Sequence, residues 1–153
     1  MSLLNKLGPT TPQHQALPDT SNKAAYGGYL INAAGCVDCH SKVNKGAIVA
    51  GTEFGGGMEF RQPAGILRAP NITMHPTAGI GKWTKEVFIQ RFNVYRNPEN
   101  LPKLKSGELN TPMPWSMYAG MKASDLEAIY LYLKSLPPKE NVVNVREYVK
   151  TKK

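Results

Sequence analysis

Only two cysteines, Cys36 and Cys39, occur among 153 residues, so at most one disulfide can form within the chain. Histidine is nearly as scarce, at His14, His40 and His75. A structural zinc site takes about four nitrogen or sulfur ligands. Cys36, Cys39 and His40 leave only His14 and His75 to complete one, with no second paired spacing. Long apolar runs are also missing. No stretch approaches the ~20 apolar residues of a membrane span. Met1 to Gly8 holds one Lys and a few Leu but no apolar core of a secretory leader. The run Gly55-Gly56-Gly57 lacks the Lys-Ser/Thr of a phosphate-binding loop and reads as a turn. Acidic side chains number 11 against 19 Lys and Arg, a formal charge of +8.

The excess of positive charge falls in two groups. Lys82, Lys85, Arg91, Arg96, Lys103 and Lys105 form a stretch diluted by Glu86 and Glu99, and Arg146, Lys150, Lys152 and Lys153 form the tail. Such a balance steers acidic partners, or simply forms a solvated basic surface. Nucleic acid is not indicated, because no binding motif and no basic run interleaved with aromatics is present.

Against these absences stands one dense motif, Cys36-Val37-Asp38-Cys39-His40. Two thiols three residues apart on one helical turn face the same way, so both can form thioethers to the two vinyl groups of one porphyrin. The next residue, His40, then offers its imidazole to the iron as proximal ligand. That is the attachment pattern of a c-type haem. A thioredoxin-like pair would sit at the head of a helix after a strand. Here the residues before Cys36 read as helix and no parallel strands follow. A disulfide or two idle thiols would leave His40 unexplained. One haem c, covalent through Cys36 and Cys39, is therefore the expected cofactor.

At 153 residues one domain is expected, burying about two thirds of its unfolded surface. Hydrophobic content is 41%, with 14 Gly and 12 Pro marking irregular backbone. A porphyrin would supply the missing apolar interior. Residues 1–20 read as an extended or disordered lead rich in Pro, Thr, Gln and Asn. From about Ser21 to Ala34, Tyr26, Tyr29, Leu30 and Ala33 recur at helical spacing, with Thr20, Ser21 or Asn22 as cap. Gly27 and Gly28 inside it predict a tight helix crossing. From Ser41 to Lys82 no long periodic segment appears, and a short hairpin around Gly55-Gly56-Gly57 is expected. A second helix is predicted from the cap Thr84 to about Arg96, with Phe88, Phe92 and Tyr95 as its stripe. A third is predicted from Ser124, whose hydroxyl forms a capping box with Glu127, to the stop at Pro137-Pro138. Three helices and long loops around one haem predict an all-α fold, with a domain over 21–138 and a charged extension over 139–153 lying on the surface or frayed.

The second axial ligand separates a carrier from a reactive haem. A thioether would keep the iron six-coordinate and raise its potential. Met58, Met74, Met113, Met117 and Met121 are the internal choices. Met113 lies between Pro112 and Pro114, which stiffen an extended segment presenting one sulfur. It is favoured, with Met117 and Met121 left as alternatives or as an apolar stripe.

These residues together resemble the class I cytochromes c. More narrowly, they resemble the haem domains in cytochrome c subunits of bacterial membrane-bound alcohol and gluconate dehydrogenases. Gly28-Tyr29-Leu30 precedes the haem motif, and Pro63 and Gly65, Ala69-Pro70-Asn71-Ile72-Thr73, Gly79-Ile80-Gly81 and Trp83-Thr84 follow. Met113-Pro114-Trp115, Tyr118 and Met121 precede Ala128-Ile129-Tyr130 and Leu136-Pro137-Pro138. The likeness covers roughly 24–138. It implies the class I fold, Cys36 and Cys39 as thioether sites, His40 as proximal and Met113 as distal ligand, and a 69–84 segment wrapped around the haem edge. Haem propionates need donors, for which Arg68, Asn71, Thr73 and Trp83 are the candidates. Those subunits carry several haem motifs and this chain has one. Ala64 stands where an aromatic is common, and Lys122-Ala123 replaces a Thr-acidic helix start.

The function expected is a monohaem cytochrome with His/Met ligation. It would pass single electrons by outer-sphere transfer between redox proteins, such as a dehydrogenase or a terminal oxidase, and would not be an enzyme. Haem c is attached after export, so a periplasmic monomer is expected, with this chain a fragment of a longer precursor and Met1-Ser2-Leu3 foreign to it. The competing classes are a haem enzyme or gas sensor with a labile sixth ligand, and a colourless thiol–disulfide or zinc module.

Overall fold

In a computed structural model of the chain the described residues are 18–149. The lead expected over 1–20 lies outside them except for Pro18 to Thr20, as do His14 and the tail lysines 150, 152 and 153. In chain order come α1 (Lys23–Ala33), α2 (Cys36–Cys39), β1 (Val43–Asn44), β2 (Ala47–Ile48), β3 (Glu59–Gln62) and β4 (Gly65–Arg68). Then follow α3 (Lys85–Asn93), 3₁₀ turns at Val94–Arg96 and Pro98–Asn100, α4 (Trp115–Tyr118), α5 (Ala123–Ser135) and β5 (Arg146–Tyr148).

The three predicted helices form, and two of their caps are the predicted ones. The Asn22 side chain accepts from the Ala25 N–H, and Thr84 Oγ1 accepts from the Val87 N–H. Each satisfies a donor that the first helical turn leaves without a partner. The capping box on α5 does not form. That helix starts one residue earlier, Lys122 stands at its cap without a side-chain hydrogen bond, and Ser124 Oγ reaches only Asp125 Oδ1. The Glu127 carboxylate is instead drawn to Lys23 of α1 at 3.2 Å and Lys85 of α3 at 3.1 Å. One glutamate on α5 thus staples both neighbouring helices.

The helices pack through an apolar centre made of Ile31, Phe54, Ile80, Phe88, Leu126, Ile129, Tyr130 and Leu133. The crossing of α1 on α5 explains the glycines. A Cβ on Gly27 would stand 1.9 Å from the Ala128 carbonyl oxygen, and one on Gly28 would stand 2.9 Å from the Tyr132 ring. The propensity lost to two helical glycines is therefore exchanged for close approach, of backbone to backbone at Gly27 and of backbone to the Tyr132 ring at Gly28.

The all-α expectation is corrected. Five short strands form two antiparallel sheets, one of β1 and β2 and one in the order β3-β4-β5. The fold is mixed helix and strand rather than the all-α class I arrangement. The hairpin sits earlier than expected. Val43 pairs Ile48 and Asn44 pairs Ala47, so Lys45 and Gly46 form the two-residue turn with φ of 49° and 81°. Both central residues then have the positive φ that tight hairpins of this kind need. Strands of two to four residues are too short to show alternation, which is why they read as loop. Residues 139–149 are mostly exposed, and β5 lies within them. Leu67 pairs Arg146 and Gly65 pairs Tyr148, so β5 completes the second sheet.

Three outcomes are expected. Gly27→Ala lowers unfolding free energy by about 2 kcal/mol or more through overpacking, read from urea titration. Gly120→Ala, where the nearest atom to a new Cβ is 3.4 Å away, costs under about 1 kcal/mol. The hydrogen bonds from Lys85 and then Lys23 hold the Glu127 carboxyl below its usual range. A carboxyl so depressed adds stability above its unfolded pKa and loses it as pH falls through the folded one. Glu127→Gln is therefore expected to reduce stability near pH 7 and flatten its loss between about pH 5 and pH 3.

Candidate haem-binding site

The site is built around the turn that joins α1 to the first sheet. Gly35, in the left-handed region at φ 65°, precedes α2 and resets the chain direction after α1. The single turn of α2 then carries both thiols. Cys36 packs against the apolar centre and Cys39 is exposed. Burial pushes the Cys36 thiol up to about 11, and burial followed by the neighbouring Asp38 charge raises Cys39 as well. Thiol–disulfide exchange works through the thiolate and is favoured by depressed pKa values. This pair is shifted the other way. Among the described residues no group of three or more His, Cys, Asp or Glu side chains gathers to hold a metal ion by itself. Neither thiol is activated by its surroundings, and no further ligand stands beside Cys36, Cys39 and His40 among the described residues.

His40 is the most constrained side chain of the motif. It is buried, its backbone N–H donates to the Cys36 carbonyl at 2.9 Å, and its own carbonyl accepts from the Gly56 N–H at 2.8 Å. Its ring Nδ1 lies 2.8 Å from the Pro70 carbonyl oxygen. A carbonyl can only accept, so Nδ1 carries the proton and Nε2 keeps its lone pair. Burial, opposed by the Pro70 contact, lowers the ring pKa and favours that neutral form. An imidazole whose Nδ1–H is fixed by a backbone carbonyl is the arrangement that orients a metal-binding Nε2.

The cradle behind this ring is the pairing of residues 54–57 with 69–72. The Gly57 N–H donates to the Ala69 carbonyl and the Ile72 N–H to the Phe54 carbonyl, both at 2.9 Å. Gly56 has φ 75°, and a Cβ there would meet the Asn71 nitrogen and the Pro70 carbonyl carbon at 2.6 Å. The glycine run that reads as a hairpin turn is therefore the contact surface for the Pro70 segment. Ser41, fully buried, adds a second tie by donating to the Val37 carbonyl at 2.5 Å and accepting from the Phe54 N–H at 3.3 Å. Ser41 and Gly56 carry no site signal in the sequence, because a serine hydroxyl and a glycine that serve backbone partners look like those of any turn.

The candidate propionate donors are scattered. Arg68 lies on β4, and its guanidinium is engaged by Glu59 and Glu147 at 2.8 Å each and by the Asn144 carbonyl. Asn71 donates through Nδ2 to the Lys139 and Asn141 carbonyls, while its Oδ1 accepts from Thr73 N–H and Oγ1. Thr73 Oγ1 in turn accepts from the Lys139 N–H. Asn71 and Thr73 thus form a buried knot that ties down the segment after Pro138. Trp83 packs against the apolar centre and accepts a hydrogen bond from Tyr130 through its carbonyl. Its indole N–H has no hydrogen-bond partner among the described residues. Only Trp83 of the four keeps its side-chain donor free.

Met113 is half-buried and lines a cavity of about 210 Å³ with Leu101, Pro102, Thr111, Pro114 and Trp115. Met117 is 74% exposed, while Met74 and Met121 pack against the apolar centre. Tyr118 links this region to the thiols. Its hydroxyl donates to the Ala34 carbonyl at 2.6 Å, two residues before Cys36. Burial, then the nearby Cys36 and Cys39, raises its pKa. The basic stretch is largely spent on internal partners. Lys85 pairs with Glu127, Lys105 pairs with Glu108, Arg91 stacks on Trp115, and Arg96 donates to two carbonyls. Lys82 and Lys103 make no ion pair among the described residues.

The residues present fit a covalently held haem. Two thiols share one turn, a neutral imidazole is fixed beside them with Nε2 uncommitted, and a thioether lies on a proline-stiffened segment tied to the same turn. No helix among the described residues is long and apolar enough to cross a membrane.

No family model matches the chain. Curated relatives do. Over 108 residues, 69% of this chain, it is 32% identical to the gluconate 2-dehydrogenase cytochrome c subunit of Pantoea cypripedii, covering 21% of that protein. Over the same length it is 29% identical to the cytochrome c subunit of the quinone alcohol dehydrogenase of Gluconacetobacter polyoxogenes, covering 20% of it. A diheme cytochrome c-type protein of Cereibacter sphaeroides is 26% identical over 120 residues, which is 78% of this chain and 38% of that one. The chain spans about a fifth of the length of the dehydrogenase subunits it matches. Over the shared stretch it is a homologue of cytochrome c subunits of dehydrogenases.

Proposed function

We propose that this chain holds one haem c through thioethers to Cys36 and Cys39, with His40 and Met113 as axial ligands, and carries single electrons between redox proteins. The group supplies a one-electron iron couple when bound. The observation that carries the reading is the fixed tautomer of His40. The Pro70 carbonyl accepts a hydrogen bond from Nδ1–H, Gly56 and Cys36 hold the backbone on either side, and Nε2 alone is left to bind. Such outer contacts raise ligand basicity and fix ring orientation.

Met113 is supported as second ligand by its flanking prolines, its half-buried place on a cavity wall, and the exposure of Met117. Trp83 is the remaining candidate to donate to a propionate, and Arg68, Asn71 and Thr73 act by holding the chain that surrounds it. With both axial positions taken by side chains, the protein's work is to orient, to exclude water and to tune the potential. A single Cys-x-x-Cys-His motif sets one haem per chain of this length. The relatives are named as dehydrogenase subunits, so a dehydrogenase is the proposed redox partner. Haem c is attached after export, so the periplasm is the proposed compartment.

Matured protein should give a pyridine haemochrome spectrum of the c type, and acid–acetone should leave the colour on the polypeptide. The Cys36→Ala/Cys39→Ala double variant should release it. A colourless matured sample, or full extraction from the unsubstituted protein, contradicts the reading. Met113→Ala should remove the sulfur-to-iron charge-transfer band of the oxidised form. It should also lower the potential by roughly a tenth of a volt or more, a fraction of the ~0.8 V range that axial ligands span. Met117→Ala should change neither, and the opposite pattern would assign the ligand to Met117.

A further inference from the structure

The segment that carries Met113 has little to hold it in place by itself. Helix α4 is a single turn, and helices that short are marginal in water without tertiary support. Pro112 and Pro114 remove two backbone donors just before it, and its cap position makes no side-chain hydrogen bond. What restrains it comes from elsewhere. Arg96, in the 3₁₀ turn that continues α3, donates Nε to the Ala119 carbonyl and Nη2 to the Met121 carbonyl, both at 2.9 Å. Its planar fork spans two carbonyls just past the end of α4, a geometry that an ammonium cannot reproduce. Arg96 forms no ion pair among the described residues, so its charge is directed at these acceptors. Helix α3 is in turn anchored on α5 through Phe88 and Tyr130, whose ring centres lie 5.7 Å apart. At the other end of α4, Trp115 packs against Phe92 and Tyr95, and the Arg91 guanidinium carbon lies 4.5 Å from the Trp115 ring centre. On the side facing α1, Tyr118 makes its bond to Ala34.

We propose that Arg96 is the positioning residue for the Met113 segment, with Tyr118 as its second tie, and that this clamp decides whether the sixth coordination position stays closed. The proposal rests on Met113 ligation as set out above. Arg96 makes no hydrogen bond to Cys36, Cys39, His40 or Met113. It acts by holding the far end of the one-turn helix that begins two residues after Met113.

The test uses the matured holoprotein and three variants, Arg96→Leu, Arg96→Lys and Tyr118→Phe. Arg96→Leu is expected to lose most of the sulfur-to-iron band and to bind CO in the reduced state about tenfold faster or more, the effect of losing a charge-assisted hydrogen bond. Arg96→Lys, which reaches one carbonyl at a time, recovers part of both signals. Tyr118→Phe accelerates CO binding several-fold. Amide hydrogen exchange over residues 115–121 rises in step in each variant, with the Soret band and far-ultraviolet circular dichroism retained. An Arg96→Leu protein with the band, CO rate and amide exchange of the unsubstituted one overturns the proposal. If Arg96→Leu does not mature, Tyr118→Phe decides, and unchanged exchange and CO binding overturn the proposal. A missing band in the unsubstituted protein refutes Met113 ligation itself. The exchange data still judge the clamp, which fails if residues 115–121 are no faster in the variants.

Discussion

The hydrogen bond from His40 Nδ1 to the Pro70 carbonyl is the constraint on which the rest of the molecule converges. It ties the end of a one-turn helix to a loop thirty residues later in the chain, and it does so through a buried ring that cannot rotate without losing its partner. Everything around it serves that contact. Gly56 lets the 54–57 and 69–72 segments approach within backbone distance, and Ser41 closes the turn behind them. The Asn71–Thr73 knot then fastens the segment after Pro138 over the same loop. Removing water from the ring keeps it neutral, which is the form a metal requires.

A division of labour follows from this geometry. The helices α1, α3 and α5 form a conventional apolar centre, closed by the tight glycine crossing and by the Glu127 staple. The second half of the site is less self-sufficient. The Met113 segment borrows its order from arginines of the α3 region and from Tyr118, so the His40 and Met113 segments are held in different ways. One side is backbone held by backbone. The other is a short helix held by side-chain tips.

The parts of the fold and the site legible from sequence were those whose cause is local. Cys36, Cys39 and His40 are neighbours in sequence, so their gathering on and beside one helical turn was legible. Asn22 and Thr84 cap helices through side chains one turn from their targets, and the paired glycines of α1 have no helical use except close approach. The parts that escaped depend on distant partners. Glu127 reads as half of a capping box until Lys23 and Lys85 arrive from other helices. Arg68, Asn71 and Thr73 read as free donors, but their partners lie 66 to 79 residues away, apart from Glu59 and the Asn71–Thr73 pair itself. The strands β1 to β5 hold two to four residues each and carry no period long enough to detect, so a mixed fold reads as all-α. Met113 could be favoured by its prolines, yet nothing local names Arg96 as the residue that holds its segment.

The most direct measurement is the intact mass of the matured protein under denaturing conditions, followed by fragmentation of the peptide holding Cys36, Cys39 and His40. The account predicts a mass increase of one haem that survives denaturation and maps to both cysteines of that peptide. A bare polypeptide mass, or a haem lost on denaturation, would contradict it.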